Sequence, residues 1–523
     1  MPTTAKTTAS PATISGNAAL LELEYLEQHG TYTRLHYENR SYTNLEELQY
    51  AGRLVRVLRE RGIAPGDRVL VFLPNSPELT ASFQAVWTLG AVMCPVMPQW
   101  TAGEIGHALR NAGAVVVLTV PALAARVRDA AQGAETLKHR LVFGETDVSG
   151  MENISPEMEE GASVESPIER AADDLALLLY TSGTTAEPKG VMITHSNVAS
   201  AIDSASQLNP DLPVLPMLHV LPLTHVFGML MLKLANRWGF PSVLLRQFDP
   251  LMIFEAIERY QAGYMPVVPT MLVYLLHHPE RSRFSFSSLY RITSGGTALP
   301  EKLRLDFQEA FRCRVDQGYG MSESVAVATA YADHESYRAG SAGRPEPGIE
   351  VRIMDEQNRP LPPGAVGEIC LAGGNVATGY WQNPLATQES FAGGWFHTGD
   401  VGYLDEEGYL YITDRKKDLI IKGGENISPR EIEEALYLHG AIAEAAVIGI
   451  PDVVFGEEIC AVIQLKAGSV ASDEDIRRYV GQHVGKFKVP SRIVFLGALP
   501  KNSTGKIQKR VIREQIAAAE SGA

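Results

Sequence analysis

Three features of the sequence predict an α/β chain built from several units, with a β-rich subdomain late in its course and a small α+β domain at its end. From Tyr42 onward, helix-like and strand-like apolar periodicities alternate. That is the pattern of helices layered on largely parallel sheets. Between about residues 340 and 410, glycine and proline become dense and short β-like runs take over. A charged stretch, Asp414-Arg415-Lys416-Lys417-Asp418, then sets off a last segment of about a hundred residues, enough for a small domain. At 523 residues the chain is too long for one core and predicts roughly two to four structural units.

The opening residues 1–16 are rich in Thr, Ala and Ser and read as a disordered tail. Residues 45–61 carry apolar side chains three and four apart, an amphipathic helix. Gly66-Asp67 turns into a short buried strand over 68–73, helix returns over 78–89, and 115–120 is a second strand. The alternation resumes at 243–245, 252–262, 264–268 and 289–293. Within the Gly/Pro-dense stretch, 350–354 and 367–372 are the clearest strands. After a strand over 409–413, the remainder offers a helix at 429–437, strands near 446–450 and 459–465, and a basic helix from Lys506. The expected division is a tail at 1–16, a large domain at 17–416 and a mobile C-terminal domain at 417–523.

The apolar fraction of 45% and charged fraction of 20% are those of an ordinary globular protein. A net charge of −15 disfavours non-specific binding to nucleic acid or anionic membrane. Any phosphate-bearing ligand must be held by local donors. Cys94, Cys313, Cys370 and Cys460 are scattered, with no CxxC pair. Free buried thiols, and neither zinc nor a disulfide framework, are expected. The N-terminal tail lacks the apolar stretch of a signal peptide. The uncharged run 111–125 is too short to span a bilayer and contains Pro121. A cytoplasmic protein without a transmembrane segment is the expectation. The sequence leaves a homodimer open.

The strongest chemical signal is the run 178–190, where Leu178-Leu179-Tyr180 ends in Thr181-Ser182-Gly183-Thr184-Thr185 and then delivers Lys189 between Pro188 and Gly190. Backbone N–H groups, hydroxyls and one cation left at a strand end suit a polyphosphate. It is not a Walker A loop, which needs glycine before the lysine and a hydroxyl after it. The second signal is Asp316-Gln317-Gly318-Tyr319-Gly320-Met321-Ser322-Glu323. Its glycines allow close approach to a flat ligand, Tyr319 offers a stacking face, and Glu323 is a hard oxygen ligand for Mg²⁺. The third is Trp395-Phe396-His397-Thr398-Gly399-Asp400, with Asp400 placed to accept from ribose hydroxyls. Asp414-Arg415-Lys416-Lys417 with Ile421-Lys422-Gly423-Gly424-Glu425-Asn426, and Leu499-Pro500-Lys501-Asn502-Ser503-Thr504-Gly505-Lys506-Ile507, complete the set. Each alone reads more readily as a solvated loop.

Together, in this order and from about Tyr42 to Arg513, they make the chain resemble the adenylate-forming enzymes. These include acyl-CoA synthetases, aryl-CoA ligases, luciferases and peptide-synthetase adenylation domains. The resemblance implies a two-step ligase: a carboxylate attacks the α-phosphate of ATP, and coenzyme A then displaces AMP. By that resemblance, residues 181–189 wrap the β- and γ-phosphates, while Thr184 and Glu323 position Mg²⁺. Gly295-Gly296-Thr297 and the 316–319 segment hold adenine, Gly320, Met321 and Ser322 belong to the same ATP site, and Asp400 and Arg415 hold ribose. Lys506 stabilises the adenylation transition state. Lys417 is the hinge of a rotating C-terminal domain, and Gly423-Gly424 approach the CoA channel after rotation.

His225, in Leu221-Pro222-Leu223-Thr224-His225-Val226-Phe227-Gly228-Met229, takes the place of the gating aromatic beside the substrate carboxylate. Phe227, Gly228, Val268 and Gly296 are expected in the acyl pocket, with Met229 as a further candidate and Met231 more probable as core. No acidic residue occurs over 226–236, which disfavours an amino-acid substrate, since a buried ammonium needs a partner. A medium or long fatty acid or an aryl-propenoic acid is the expected substrate. The sequence keeps two rivals: an adenylating enzyme with an amine, carrier-protein or luciferase-like acceptor, and an inactive nucleotide-binding protein. Ser322 stands where threonine is more frequent. Nothing interrupts Gly423–Asn426 as in acyl-AMP ligases that omit the CoA step, and neither a peroxisomal signal nor a carrier domain follows Lys506.

Overall fold

A computed structural model describes residues 16–161, 163–181, 188–501 and 505–521. Residues 1–15, nearly all of the expected tail, lie outside this description. Two large sheets dominate the first four-fifths of the chain, as an α/β reading requires. The eight-stranded sheet orders its strands Gly379–Tyr380, Lys189–Thr194, Leu175–Thr181, Val92–Pro95, Arg68–Phe72, Val116–Thr119, His139–Val142 and Glu152–Asn153. From Leu175–Thr181 to its far edge the sheet is parallel. The seven-stranded sheet runs Arg314–Gln317, Arg291–Ser294, Tyr264–Val267, Met217–His219, Ser242–Leu244, Thr33–Tyr37 and Arg40–Thr43. Only its last pair is antiparallel. Their continuous apolar runs reflect burial on both faces.

The helices start where local chemistry satisfies their free N–H groups. Thr43 with Glu46 and Thr101 with Glu104 form capping boxes at Asn44–Glu60 and Ala102–Ala112. The helix Pro77–Thr88 buries every residue except Glu78. From it, Trp87 Nε1 donates to Ala176 O over 2.9 Å, which ties the core to the strand leading into the 182–187 segment. Ile349–Met354, Gly367–Gly373, Phe396–Leu404 and Leu410–Arg415 make a four-stranded antiparallel sheet, the β-rich unit, whose last strand runs into the charged stretch. Ile420–Lys422, Glu425–Ile427, Ile442–Asp452, Gly456–Leu465 and Arg492–Phe495 form the final sheet. The helix Pro429–Tyr437 packs against it.

Two local expectations shift. The chain from Lys189 returns as a strand, antiparallel to Leu175–Thr181, because Val191 and Ile193 bury on the face the sheet already covers. The last helix begins at Lys509 and not at Lys506. A positive φ of 82° at Gly505 and an antiparallel bridge between Lys501 and Ile507 hold this stretch out of the helix.

Candidate active site

Thr181 and Lys189 face each other in the ladder of their hairpin. Ser182, Gly183, Thr184 and Thr185, expected on the phosphates, lie outside the described residues. Lys189 Nζ stands 5.1 Å from the centre of the Tyr380 ring, and Tyr380 donates its hydroxyl to Glu323 Oε1 at 2.8 Å. Desolvation raises the Glu323 pKa, against the pull of the Tyr380 hydroxyl, Arg415 and Lys189. A carboxylate short of compensating charge fits a divalent cation. Tyr380 was not singled out from the sequence. It arrives here because Gly379–Tyr380 adds an edge strand to Lys189–Thr194. The Gly379-Tyr380-Trp381 run, with φ 145° at Gly379, was its only local sign.

The nucleoside candidates gather at the end of the seven-stranded sheet. Ser294 lies opposite Gln317 in register, and Gln317 Oε1 accepts from Leu299 N at 2.8 Å, so the turn carrying Gly295, Gly296 and Thr297 lies beside the 316–321 segment. The Asp316 carboxylate is occupied by two guanidinium groups: Arg291 Nε and Arg314 Nε each lie 2.7 Å away. Asp316 thus braces this wall, leaving Gly318, Tyr319, Gly320 and Met321 to present backbone and ring to the open space. Ser322 is buried in the short turn beside Glu323. Asp400 and Arg415 are direct cross-strand partners, joined at 2.8 Å. The Tyr319 hydroxyl donates to the other Asp400 oxygen at 2.8 Å. Burial and the Asp400 charge hold the Tyr319 phenol well above its usual range.

Lys506 reaches this cluster from the other sheet system. Gly505, just before it, packs so closely that a Cβ there would lie 2.8 Å from Thr270 Oγ1 and 3.3 Å from a Val268 methyl. Desolvation first, then the Arg415 charge, pull the Lys506 ammonium down to about 8, opposed by Asp400 and Asp418. A lysine is charged below its pKa. The Lys506 charge is therefore present at low pH and fades as pH rises through about 8. The kcat/KM of acid-dependent pyrophosphate exchange should follow that fall, and Lys506→Arg, charged throughout, should lose the alkaline limb. A wild-type profile flat up to about pH 9 would contradict this.

A cavity extends from the nucleoside wall between the helices His195–Leu208 and Val226–Trp238. Leu208, Leu230, Met231, Leu234 and Trp238 line it with apolar surface. His225 stands at the start of Val226–Trp238, where its Nδ1 accepts the Phe227 N–H at 3.3 Å. The remaining ring proton is thus on Nε2. Burial pushes this imidazole down to about 4, so it is neutral near pH 7. The Phe227 ring packs on Gly295, where a Cβ would come within 3.1 Å of it. His225, Phe227 and Gly296 line the cavity.

Gly228 and Val268 do not line it. Gly228 is glycine because a Cβ would lie 2.3 Å from Pro222 O, and Val268 faces Gly505 and Gly296. Met231 belongs to the lining and Met229 to the core, the reverse of the expectation for each. The sequence reading also missed Glu346, a buried carboxylate in the same wall. Gly423 and Gly424 sit far from this chemistry in kind: they form the exposed turn between Ile420–Lys422 and Glu425–Ile427, with φ of 58° and 85°. Elsewhere Glu368, Cys370 and His397 converge, but Lys416 Nζ already holds the Glu368 carboxylate at 2.8 Å.

Residues 24–381 match the family model of the AMP-binding enzymes, and residues 431–506 match that of the AMP-binding enzyme C-terminal domain. The chain belongs to the AMP-binding enzyme family. It is 33% identical to a long-chain-fatty-acid–CoA ligase of Bacillus subtilis, over 92% of this chain and 91% of that protein. It is 34% identical to a feruloyl-CoA synthase of an Amycolatopsis species, over 94% and 96%. The fold superposes on ATP-bound MatB from Rhodopseudomonas palustris with a TM-score of 0.87, at 29% identity over 95% of this chain and 98% of that one. The apo form of the same protein gives 0.77.

Proposed function

We propose that this chain is an AMP-forming acid–CoA ligase for a hydrophobic carboxylic acid, a medium or long fatty acid or an aryl-propenoic acid. ATP supplies the activation: the carboxylate oxygen bonds to the α-phosphorus as pyrophosphate leaves, and the CoA sulfur then takes the acyl carbon as AMP leaves. The observation that carries the reading is the meeting of Lys506 with Asp400 and Arg415 beside an apolar cavity headed by His225.

Each residue has a stated task. Lys506 offsets the charge that a carboxylate and a phosphate build as they approach. His225 offers a neutral Nε2–H to the acid at the cavity mouth. Asp400, fixed by Tyr319 and Arg415, accepts from the ribose. Glu323 and Lys189, joined through Tyr380, hold Mg²⁺ and phosphate oxygens; Ser182, Gly183, Thr184 and Thr185 would complete that cradle. The chain from Lys417 onward turns about that residue between the two steps, and Gly423-Gly424 border the CoA channel in the second. Four buried free thiols suit a cytoplasmic location, and among the described residues no helix is long and apolar enough to cross a membrane.

The test is AMP and pyrophosphate release across fatty, aryl and amino acids, with and without CoA. Turnover that needs both a hydrophobic acid and CoA is expected. Pyrophosphate exchange with no CoA-dependent AMP release would reassign the acceptor.

A further inference from the structure

Taking the cavity above as the acyl pocket, we infer that it is built for an acid bearing a hydroxyl group away from its carboxylate, and that Glu346 is the residue that selects it. Glu346 lines the cavity and is 4% exposed. It follows the short strand Arg344–Pro345, whose ladder with Thr329–Ala330 brings it against the helix His195–Leu208. The only hydrogen-bond partner of its carboxyl among the described residues is Ser204 on that helix, at 3.3 Å. A buried carboxyl with one long hydrogen bond is costly unless something else completes its shell.

The other buried carboxylates near the two large sheets are treated differently. Asp316, in the same cavity wall, faces Arg291 and Arg314. Glu22 faces Arg34 and Lys233. Glu346 is given no cation. Desolvation raises its pKa to about 7, with the Ser204 hydroxyl the sole counter-effect. Near neutral pH its carboxyl is therefore present in both forms, able to accept a hydrogen bond and, when protonated, to donate one. A hydroxyl matches that pair of roles. An ammonium has three donors and no acceptor, and Leu208, Leu230 and Leu234 of the same cavity lining offer its remaining protons nothing to bond.

A site that hydrogen-bonds a substrate hydroxyl rejects the analogue lacking it far more sharply than an apolar site distinguishes methylenes. The experiment compares kcat/KM for CoA-thioester formation with matched acids. The pairs are dodecanoic with 12-hydroxydodecanoic acid and cinnamic with 4-hydroxycinnamic acid, with 12-aminododecanoic acid as the cationic probe. The wild-type protein should favour the hydroxy acid by about tenfold or more in at least one pair; the two pairs separate an alkyl from a phenolic source. Glu346→Leu should cut that ratio by at least about tenfold while raising the rate with the parent acid. The near-isosteric Glu346→Gln should keep part of the preference, and it guards against a leucine variant that fails to fold.

An unchanged ratio in both variants, a wild-type preference for the parent acids, or a preference for the amine would each overturn the assignment of Glu346. Those results would leave CoA-dependent ligation standing. Absence of turnover with every acid would instead overturn the ligase reading, and this inference with it.

Discussion

Lys506→Ala should reduce acyl-adenylate formation by about 10²–10³-fold, while thioester formation from supplied acyl-adenylate and CoA stays within a few-fold of wild type. The expectation follows from where the ammonium sits. The acid and the polyphosphate both bring negative charge, and the neighbouring Arg415 is already joined to Asp400 at 2.8 Å. Lys189 stands by the Tyr380 ring instead, on the Glu323 side. The desolvation that lowers the Lys506 pKa to about 8 also strengthens its field on a nearby anion. Its loss should therefore appear in the step where charge concentrates. Once AMP is attached, the leaving group is already activated and the ammonium has no comparable task. Pyrophosphate exchange measures the first step and CoA-dependent AMP release from the adenylate measures the second. Equal loss in both would remove Lys506 from the adenylation chemistry and leave it a structural lysine.

The residues that sequence could identify are those whose task is written in local backbone chemistry. A glycine-hydroxyl-lysine turn, the Tyr319–Glu323 segment and the Gly505-Lys506 pair each look unusual within ten residues. Their mutual placement was not legible. Asp400 and Arg415 meet because two antiparallel strands set them opposite each other, a fact of register and not of composition. Tyr380 and Glu346 were missed for a shared reason. Arg344-Pro345-Glu346-Pro347-Gly348 reads as a solvated turn, and only the packing of the helix His195–Leu208 over it makes Glu346 a buried group. Absence of acid over 226–236 was a sound observation about one helix, but the opposite wall supplies the carboxylate. Gly228 shows the converse error: its position beside His225 suggested the pocket, whereas its role is to let the helix pass the Pro222 carbonyl.

Lys417→Pro should separate the two half-reactions in the opposite sense, lowering CoA-thioester formation by about 10²-fold or more while leaving pyrophosphate exchange within about tenfold. The structure holds one arrangement of the chain's two ends. Lys506 lies within electrostatic reach of Arg415 and Asp400, and the Gly423-Gly424 turn is exposed to solvent, with nothing within 4 Å of a Cβ at Gly424. A hydrogen bond crosses residue 417 in that state, the Ser428 hydroxyl donating to Asp414 at 2.8 Å, while Arg513 meets Asp418 at 3.1 Å within the segment that follows. The turn that joins the last strand of the β-rich sheet to Ile420–Lys422 is closed by Asp418 N on Arg415 O, which leaves Lys417 at its third position. Lys417 is exposed, and it is not among the residues with positive φ. Proline there can keep a negative φ, but it removes the freedom to rotate far from about −65°. If turning about residue 417 carries Lys506 out and the glycine turn in, the second step should stall with acyl-adenylate bound. Lys417→Gly, which widens the same freedom, should sustain both steps. A proline variant that makes thioester at the wild-type rate would place the moving bond elsewhere in the 415–420 turn, or show that the glycine turn reaches CoA without it.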